Sequence, residues 1–321
     1  MKLTRRRFGV LVASGAVATT GCIDGNGEEN GDDNGVGNGD DDNDENNDEN
    51  GNDEPTTTEF RGHELPPLPA RDRHVWYHDR SDASVYLEPS DETVEPPQDV
   101  EFTLRNESDD EVGINPYDWN VYKLYDGAWK LVKPRETPEP WEMVPPGESR
   151  SQTLEVSTDA DEGDIALGDG IYGFYFGTRD YAAAFEVVDT ELVVEPTDAV
   201  TRTERDGNVV TVYTTYYDEI EDHQTPGTLV VRRGDAVDAP AEPPEPIGFP
   251  RILLEQAANE EVLRNTLPYF EDGVDEVRLK IPTTHRGNLG VLLSGGVSGT
   301  TRYFVYEGEE HSVELVEEDD D

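Results

Sequence analysis

The sequence predicts a mainly β protein: an antiparallel β-sandwich followed by a smaller α+β unit, with a disordered acidic linker in front. Three observations carry this. Seven or eight short apolar runs with period-two alternation recur every 8–12 residues between about 85 and 188. One stretch near 250–265 has helical spacing and is followed by further strand-like runs. Residues 23–69 are almost wholly Gly, Asn, Asp and Glu, later Thr and Pro, with very little to bury.

The sandwich runs are read in order. Val85-Tyr86-Leu87 opens the series, and Val100, Phe102 and Leu104 share one face of the next strand. Asn106-Glu107-Ser108-Asp109-Asp110 reads as a hairpin loop, followed by strands at Val112–Ile114 and Asn120–Tyr125. Asp126-Gly127 is a two-residue turn signal leading into Trp129–Val132. Strands at Gln152–Val156, Gly170–Phe176 and Ala183–Val188 complete the unit, which is placed at 70–196.

The α+β unit is placed at 197–321. Val200–Arg205, the Asp206-Gly207 turn and Asn208–Tyr217 form a hairpin, and Thr228–Arg232 a further strand. Ala239–Pro246 is Pro-rich and reads as a stiff polyproline II connector. The helix expected over about 250–265 starts at Pro250 and carries Leu253, Leu254, Ala257, Ala258, Val262 and Leu263 on one face, stopping before Pro268. Strands are expected at Glu276–Ile281, Leu289–Leu293, Thr301–Tyr306 and Ser312–Val316.

The chain of 321 residues has 73 Asp and Glu against 25 Lys and Arg, a net charge of −48. No cationic face is available for phosphate contacts, so no nucleic-acid partner is expected. Residues 1–22 carry four bases and no acid, residues 23–54 carry 14 acids and no base, and the rest has a net charge of −38. A folded body with that charge repels itself where the Debye length is about 30 Å, and far less in molar salt, where it is about 3 Å. With Asp and Glu standing where Lys is usual, the composition resembles that of proteins from salt-loving archaea. That resemblance implies a salt-rich milieu.

The leader Thr4-Arg5-Arg6-Arg7-Phe8, a mildly apolar stretch from Gly9 to Ala18 and Thr19-Thr20-Gly21-Cys22 run in the order basic, apolar, small. The apolar stretch is too short to span a bilayer. It resembles a twin-arginine export signal joined to a lipobox. Arg5 and Arg6 would be the paired arginines, and Cys22 the lipidated first residue of the mature chain. The resemblance implies folding before export and a membrane partner reached through Cys22, on the extracellular face. One acyl chain binds a membrane only marginally, so stable anchoring calls for two. The 47 residues of linker would then act as a spacer averaging roughly 35–40 Å end to end.

Phe102-Thr103-Leu104-Arg105-Asn106, Tyr122-Lys123-Leu124 with Trp129, Pro146-Gly147-Glu148, Gly170-Ile171-Tyr172 and Phe185-Glu186-Val187 resemble the immunoglobulin-like domains of bacterial and archaeal surface lipoproteins. The resemblance covers about a third of the chain. It implies that Tyr172 is a tyrosine corner whose hydroxyl bonds backbone nearby.

Several residue sets invite a chemical reading, each set against a plainer one. His74 and His78 are four apart, but the stretch reads as a strand or loop packing on the sandwich rather than a metal-binding helix face. Asp159–Asp164 is similar to a calcium loop, yet Gly163 and Gly170 stand at its fifth and twelfth positions, and a solvated loop is the better reading. His285 with Ser294 or Ser298 lacks nucleophile-elbow spacing. No catalytic, cofactor or metal residue is therefore assigned. Trp119, Trp129 and Trp141 cluster within some 25 residues and are the candidate ligand surface, with sandwich-core positions as the alternative. Asn106-Glu107-Ser108 is a glycosylation sequon. The expected function is a lipid-anchored, extracytoplasmic, non-catalytic binding or scaffolding protein whose partner is an envelope protein or glycan. The alternatives are a surface hydrolase and a substrate-capturing receptor.

Overall fold

A computed structural model describes residues 58–69, 74–135, 141–160, 164–178, 180–234, 249–285, 287, 289–293, 297–298 and 301–317. The leader with Arg5, Arg6 and Cys22, and most of the acidic linker, lie outside them.

The chain enters through a hairpin, β1 (Thr58–Phe60) and β2 (His63–Leu65), whose Arg61-Gly62 turn has both φ angles positive. This part was read as linker; Phe60 and Leu65 fold it instead, because both are buried against the sandwich. The strands β3 (Val75–Trp76), β4 (Val85–Pro89), β5 (Thr93–Val94), β6 (Gln98–Asn106), β7 (Val112–Tyr125) and β8 (Ala128–Arg135) follow. Then come β9 (Glu142–Val144), β10 (Ser149–Ser157), β11 (Ile165–Ala166), β12 (Gly170–Gly177) and β13 (Tyr181–Val187).

Two sheets result. One has the order β11-β10-β6-β4; the other has β3-β13-β12-β7-β8, with β5 added to β13 and β9 to β7. Taking β4, β6, β7, β10, β12 and β13 as A, B, C, E, F and G, these are the ABE and GFC sheets of an immunoglobulin-like sandwich. Their inner faces meet at Val100, Phe102, Leu104, Leu154, Phe174 and Phe185, with Phe102 stacked on Phe174 at 4.1 Å. The outer face of the second sheet is also covered, by the entry hairpin, Leu68 and Trp76. Burial on both faces explains why β12 reads as a continuous apolar run, Ile171 to Phe176, instead of alternating. It also demands glycine at 173, where a Cβ would come within 3.1 Å of Leu68 and 3.2 Å of the Trp129 ring. Val112–Ile114 and Asn120–Tyr125, expected as two strands, are one 14-residue strand.

The second half forms its own sheet from β14 (Val200–Asp206), β15 (Val209–Thr214), β16 (Pro226–Arg233), β17 (Glu276–Pro282), β18 (Val297–Ser298), β19 (Thr301–Tyr306) and β20 (Glu309–Glu317). Its order is β14-β15-β17-β16-β20-β19-β18, antiparallel except for β15 beside β17. The short helices are α1 (Thr215–Asp218), α2 (Leu254–Asn259), α3 (Glu261–Arg264) and α4 (Leu289–Leu292). The single helix expected over 250–265 is thus broken: Glu260 is extended, with φ −106° and ψ 109°, between α2 and α3. Its apolar face was read correctly, since Ala257, Ala258, Val262 and Leu263 are all buried. Leu289–Leu293, expected as a strand, is helical. The Leu293 N–H donates to the Leu289 carbonyl at 2.9 Å, a helical i to i−4 bond, and both leucines are buried.

The two halves are joined through α2. Glu255, nearly inaccessible, forms an ion pair with Lys123 of β7 and accepts a hydrogen bond from the Tyr172 hydroxyl at 3.1 Å. Gln256 Nε2 donates to the Leu131 carbonyl at 2.7 Å, and Asn259 exchanges two hydrogen bonds with the Ala166 backbone. Arg264 donates to the carbonyls of Ala160 and Glu195 and pairs with Asp159. Accordingly, sandwich and C-terminal sheet belong to one compact unit.

Candidate functional site

The sandwich separates the three candidate tryptophans. Trp119, on the inner face of β7, packs 6.0 Å from Phe174 in the core. Trp129, on β8, is buried on the outer face, stacked on Trp76 at 5.7 Å, and its Nε1–H donates to the Pro66 carbonyl at 2.6 Å. Both are structural. Trp141 alone is open, 69% exposed, and Met143 two residues on is 48% exposed.

Trp141 and Met143 lie over the same glycine of β7. A Cβ at Gly113 would sit 3.3 Å from the Trp141 ring and 3.6 Å from the Met143 sulfur, so the bare backbone lets both side chains lie flat. Gly113 faces Met143 in the β7–β9 register. Among the described residues β9 pairs only with β7, which leaves its other edge open. An aromatic face beside a polarisable thioether at an open strand edge suits stacking on an apolar ligand face. The signal in the sequence was Pro138 and Pro140 just before Trp141, which mark an edge rather than a central strand.

Asn106 is 1% exposed. Its Nδ2 donates to the carbonyls of Asp110 and Val144, both at 2.8 Å, while its Oδ1 accepts from the Ser108 backbone and hydroxyl. The nitrogen that would carry a sugar has both protons engaged in the interior. The sequon is a turn lock, and glycosylation would require those bonds to break.

The histidines near the sandwich entrance also pack. His74 Nε2 lies 3.1 Å from the Leu68 carbonyl, and His78 Nε2 lies 3.0 Å from the Ala184 carbonyl, so each ring is held by a different carbonyl. The ends of the Asp159–Asp164 run part company. Asp159 meets Arg264 at 3.1 Å, whereas Asp164 lies beside Glu155, whose carboxyl is raised by burial and by that neighbour. No group of three or more His, Cys, Asp or Glu suited to a metal ion occurs among the described residues.

His285 is paired with a carboxylate. Its Nε2 is 3.1 Å from Glu261, its ring stacks on Tyr216 at 4.0 Å, and the imidazole holds the Glu261 carboxyl below its usual value. Ser294 lies outside the described residues. Sequence reasoning also missed the buried Lys123–Glu255–Tyr172 group; its one trace was an acid, Glu255, among the apolar residues that open the helix.

The tyrosine corner is present. Tyr172 donates to the Gly168 carbonyl at 2.7 Å as well as to Glu255, and burial first, then Glu255, pushes its pKa well up.

No family description and no curated protein matches the sequence. Among solved structures, 34% of this chain is similar to 32% of the Pseudomonas fluorescens alkylpurine DNA glycosylase AlkC, at 14% identity and a TM-score of 0.22. Another 32% match covers 16% of a β-glucosidase from Listeria innocua in complex with gluconolactone, at 17% identity and a TM-score of 0.20. The matched segments are under a third of the first protein and about a sixth of the second, and similarity of this degree assigns no function.

Proposed function

We propose that this chain is a lipid-anchored protein of the outer face of a cell membrane in a salt-rich milieu, working by surface binding or scaffolding rather than by chemistry. Three features of the sequence support the placement: the paired Arg5 and Arg6, the Gly21-Cys22 junction and the segregated acidic tract behind it. One structural observation carries the binding role, the exposed Trp141 and Met143 at the open edge of β9. Isolated exposed apolar residues are ordinary on protein surfaces; two large ones laid side by side over a glycine form a contact patch. The partner would be an envelope glycan, stacked on the indole, or an envelope protein.

Two substitutions test the two halves of this reading. Cys22→Ala should move the protein from the membrane fraction to the medium; retention on the membrane overturns the anchor. Trp141→Ala removes only an exposed ring, so the fold should persist by circular dichroism while retention on envelope glycans drops about five- to tenfold, the roughly 1–1.4 kcal/mol expected of one stacked aromatic. Unchanged retention overturns the patch.

A further inference from the structure

The end of the C-terminal sheet holds a hollow of about 250 Å³ lined by Arg233, Phe270, Tyr306, Glu307, Glu309 and His311. His311, on β20, is only 3% exposed. It stacks on Phe304 at 5.1 Å and meets Phe270 and Tyr306 edge-on at 5.3 and 6.3 Å. Its Nδ1 lies 3.0 Å from the Glu309 carbonyl. A carbonyl only accepts, so Nδ1 carries the proton and Nε2 presents a lone pair. Among the described residues Nε2 has no hydrogen-bond partner, and Nδ1 is the ring nitrogen that is engaged. Burial lowers the pKa of this imidazole, which favours the neutral ring, and the Glu309 carbonyl sets its tautomer.

The one cation of the lining is already committed. Arg233 donates through Nε, Nη1 and Nη2 to the carbonyls of Val274, Phe270 and Glu271 at 3.0, 3.0 and 2.7 Å, and Nη1 faces Glu309 at 3.4 Å. Glu307 and Glu309 are exposed carboxylates at the rim. The Tyr306 phenol, pushed up to about 12 by burial and by Glu307, stays protonated and supplies an aromatic wall. The hollow therefore offers acceptors, a ring face and a net charge of −1.

We propose that this hollow binds a small organic cation bearing N–H donors, an alkylammonium or guanidinium group. Its N–H groups would donate to His311 Nε2 and to Glu307, with the carbon stem against Phe270 and Tyr306. The same chemistry belongs to a free amine or to a Lys or Arg side chain of a partner. This site is separate from the Trp141 patch, and either can fail alone.

The test titrates the full chain in molar KCl with n-butylammonium, methylguanidinium and tetramethylammonium, following the His311 ring signals by NMR and the heat of binding. Butylammonium and methylguanidinium should bind with a shift at His311, at least about tenfold more tightly than tetramethylammonium, which has no N–H. Glu307→Gln, an isosteric change at an exposed position, should weaken binding about threefold or more. Acidification through the His311 titration should abolish it, because protonated Nε2 becomes a donor beside Arg233, the protonated Tyr306 and the two carboxylates. A lysine peptide that binds at least tenfold more tightly than butylammonium points to a partner's side chain; equal affinity points to a free amine. Absence of binding, equal affinity for tetramethylammonium, an unaffected Glu307→Gln protein or tighter binding at low pH each overturns the proposal.

Discussion

His311 is buried and His78 half-buried, each with its ring bonded to a backbone carbonyl, and burial is the main reason that both pKa values lie below 6.5. As pH falls, the unfolded chain takes up these protons before the folded one does. The contribution of the two rings is complete above about pH 6.5 and is lost as pH falls through their folded-state values. The urea midpoint in molar salt should therefore decline from about pH 7 to about pH 5, and His311→Phe should flatten part of that decline. A midpoint independent of pH over this range contradicts the burial assignment. Glu261 acts lower down: His285 depresses its carboxyl, so its contribution is present above pH 4.5 and fades only below. In the sequence His78 stands out only as one of a pair with His74, and His311 not at all. Their significance comes from neighbours far along the chain, Ala184 for His78 and Phe270 for His311.

At the scale of elements, periodicity located the strands of five residues or more, because a strand buried on one face alternates and the alternation is local, while those of two or three residues are too short to show a period. It failed where burial came from more than one direction. The entry hairpin was hidden because Phe60 and Leu65 stand isolated in a polar stretch and become core only when the outer face of β12 and β13 receives them. Leu289–Leu293 was misread because a short apolar run fits strand and helix alike. The break at Glu260 was invisible because its cause is tertiary: α2 must present Glu255, Gln256 and Asn259 to the sandwich while α3 turns Arg264 toward Asp159.

That junction yields a double-mutant prediction. Glu255→Ala should cost about 3–5 kcal/mol, since it leaves the Lys123 ammonium without its carboxylate and removes one acceptor of Tyr172. Combining Lys123→Met with Glu255→Leu should restore much of the loss. Urea denaturation of Lys123→Met, Glu255→Leu and the double variant measures the coupling, and strict additivity would show that the pair is not the joint.

For the molecule as a whole, the expectation concerns charge. A folded body with a net charge of −38 should lose stability steeply as KCl is diluted from molar to about 0.01 M, where the Debye length grows from about 3 to about 30 Å. Circular dichroism during dialysis reads this directly, and an unchanged spectrum at low salt refutes it. Because α2 joins the two halves, both should unfold in one transition, seen alike by Trp fluorescence, which reports the sandwich, and by far-UV ellipticity, which reports all strands.

By itself the sequence determined the fold class, most strand positions and the turns at Asp126-Gly127 and Asp206-Gly207, because alternation, turn residues and a helix stripe are written in neighbours along the chain. Only the tertiary structure decided that Trp141 is surface while Trp119 and Trp129 are core, that Asn106 is sealed, and that His311 looks into a hollow. Those outcomes depend on which face of which sheet another segment covers, and contacts between residues far apart in sequence leave no local period to read.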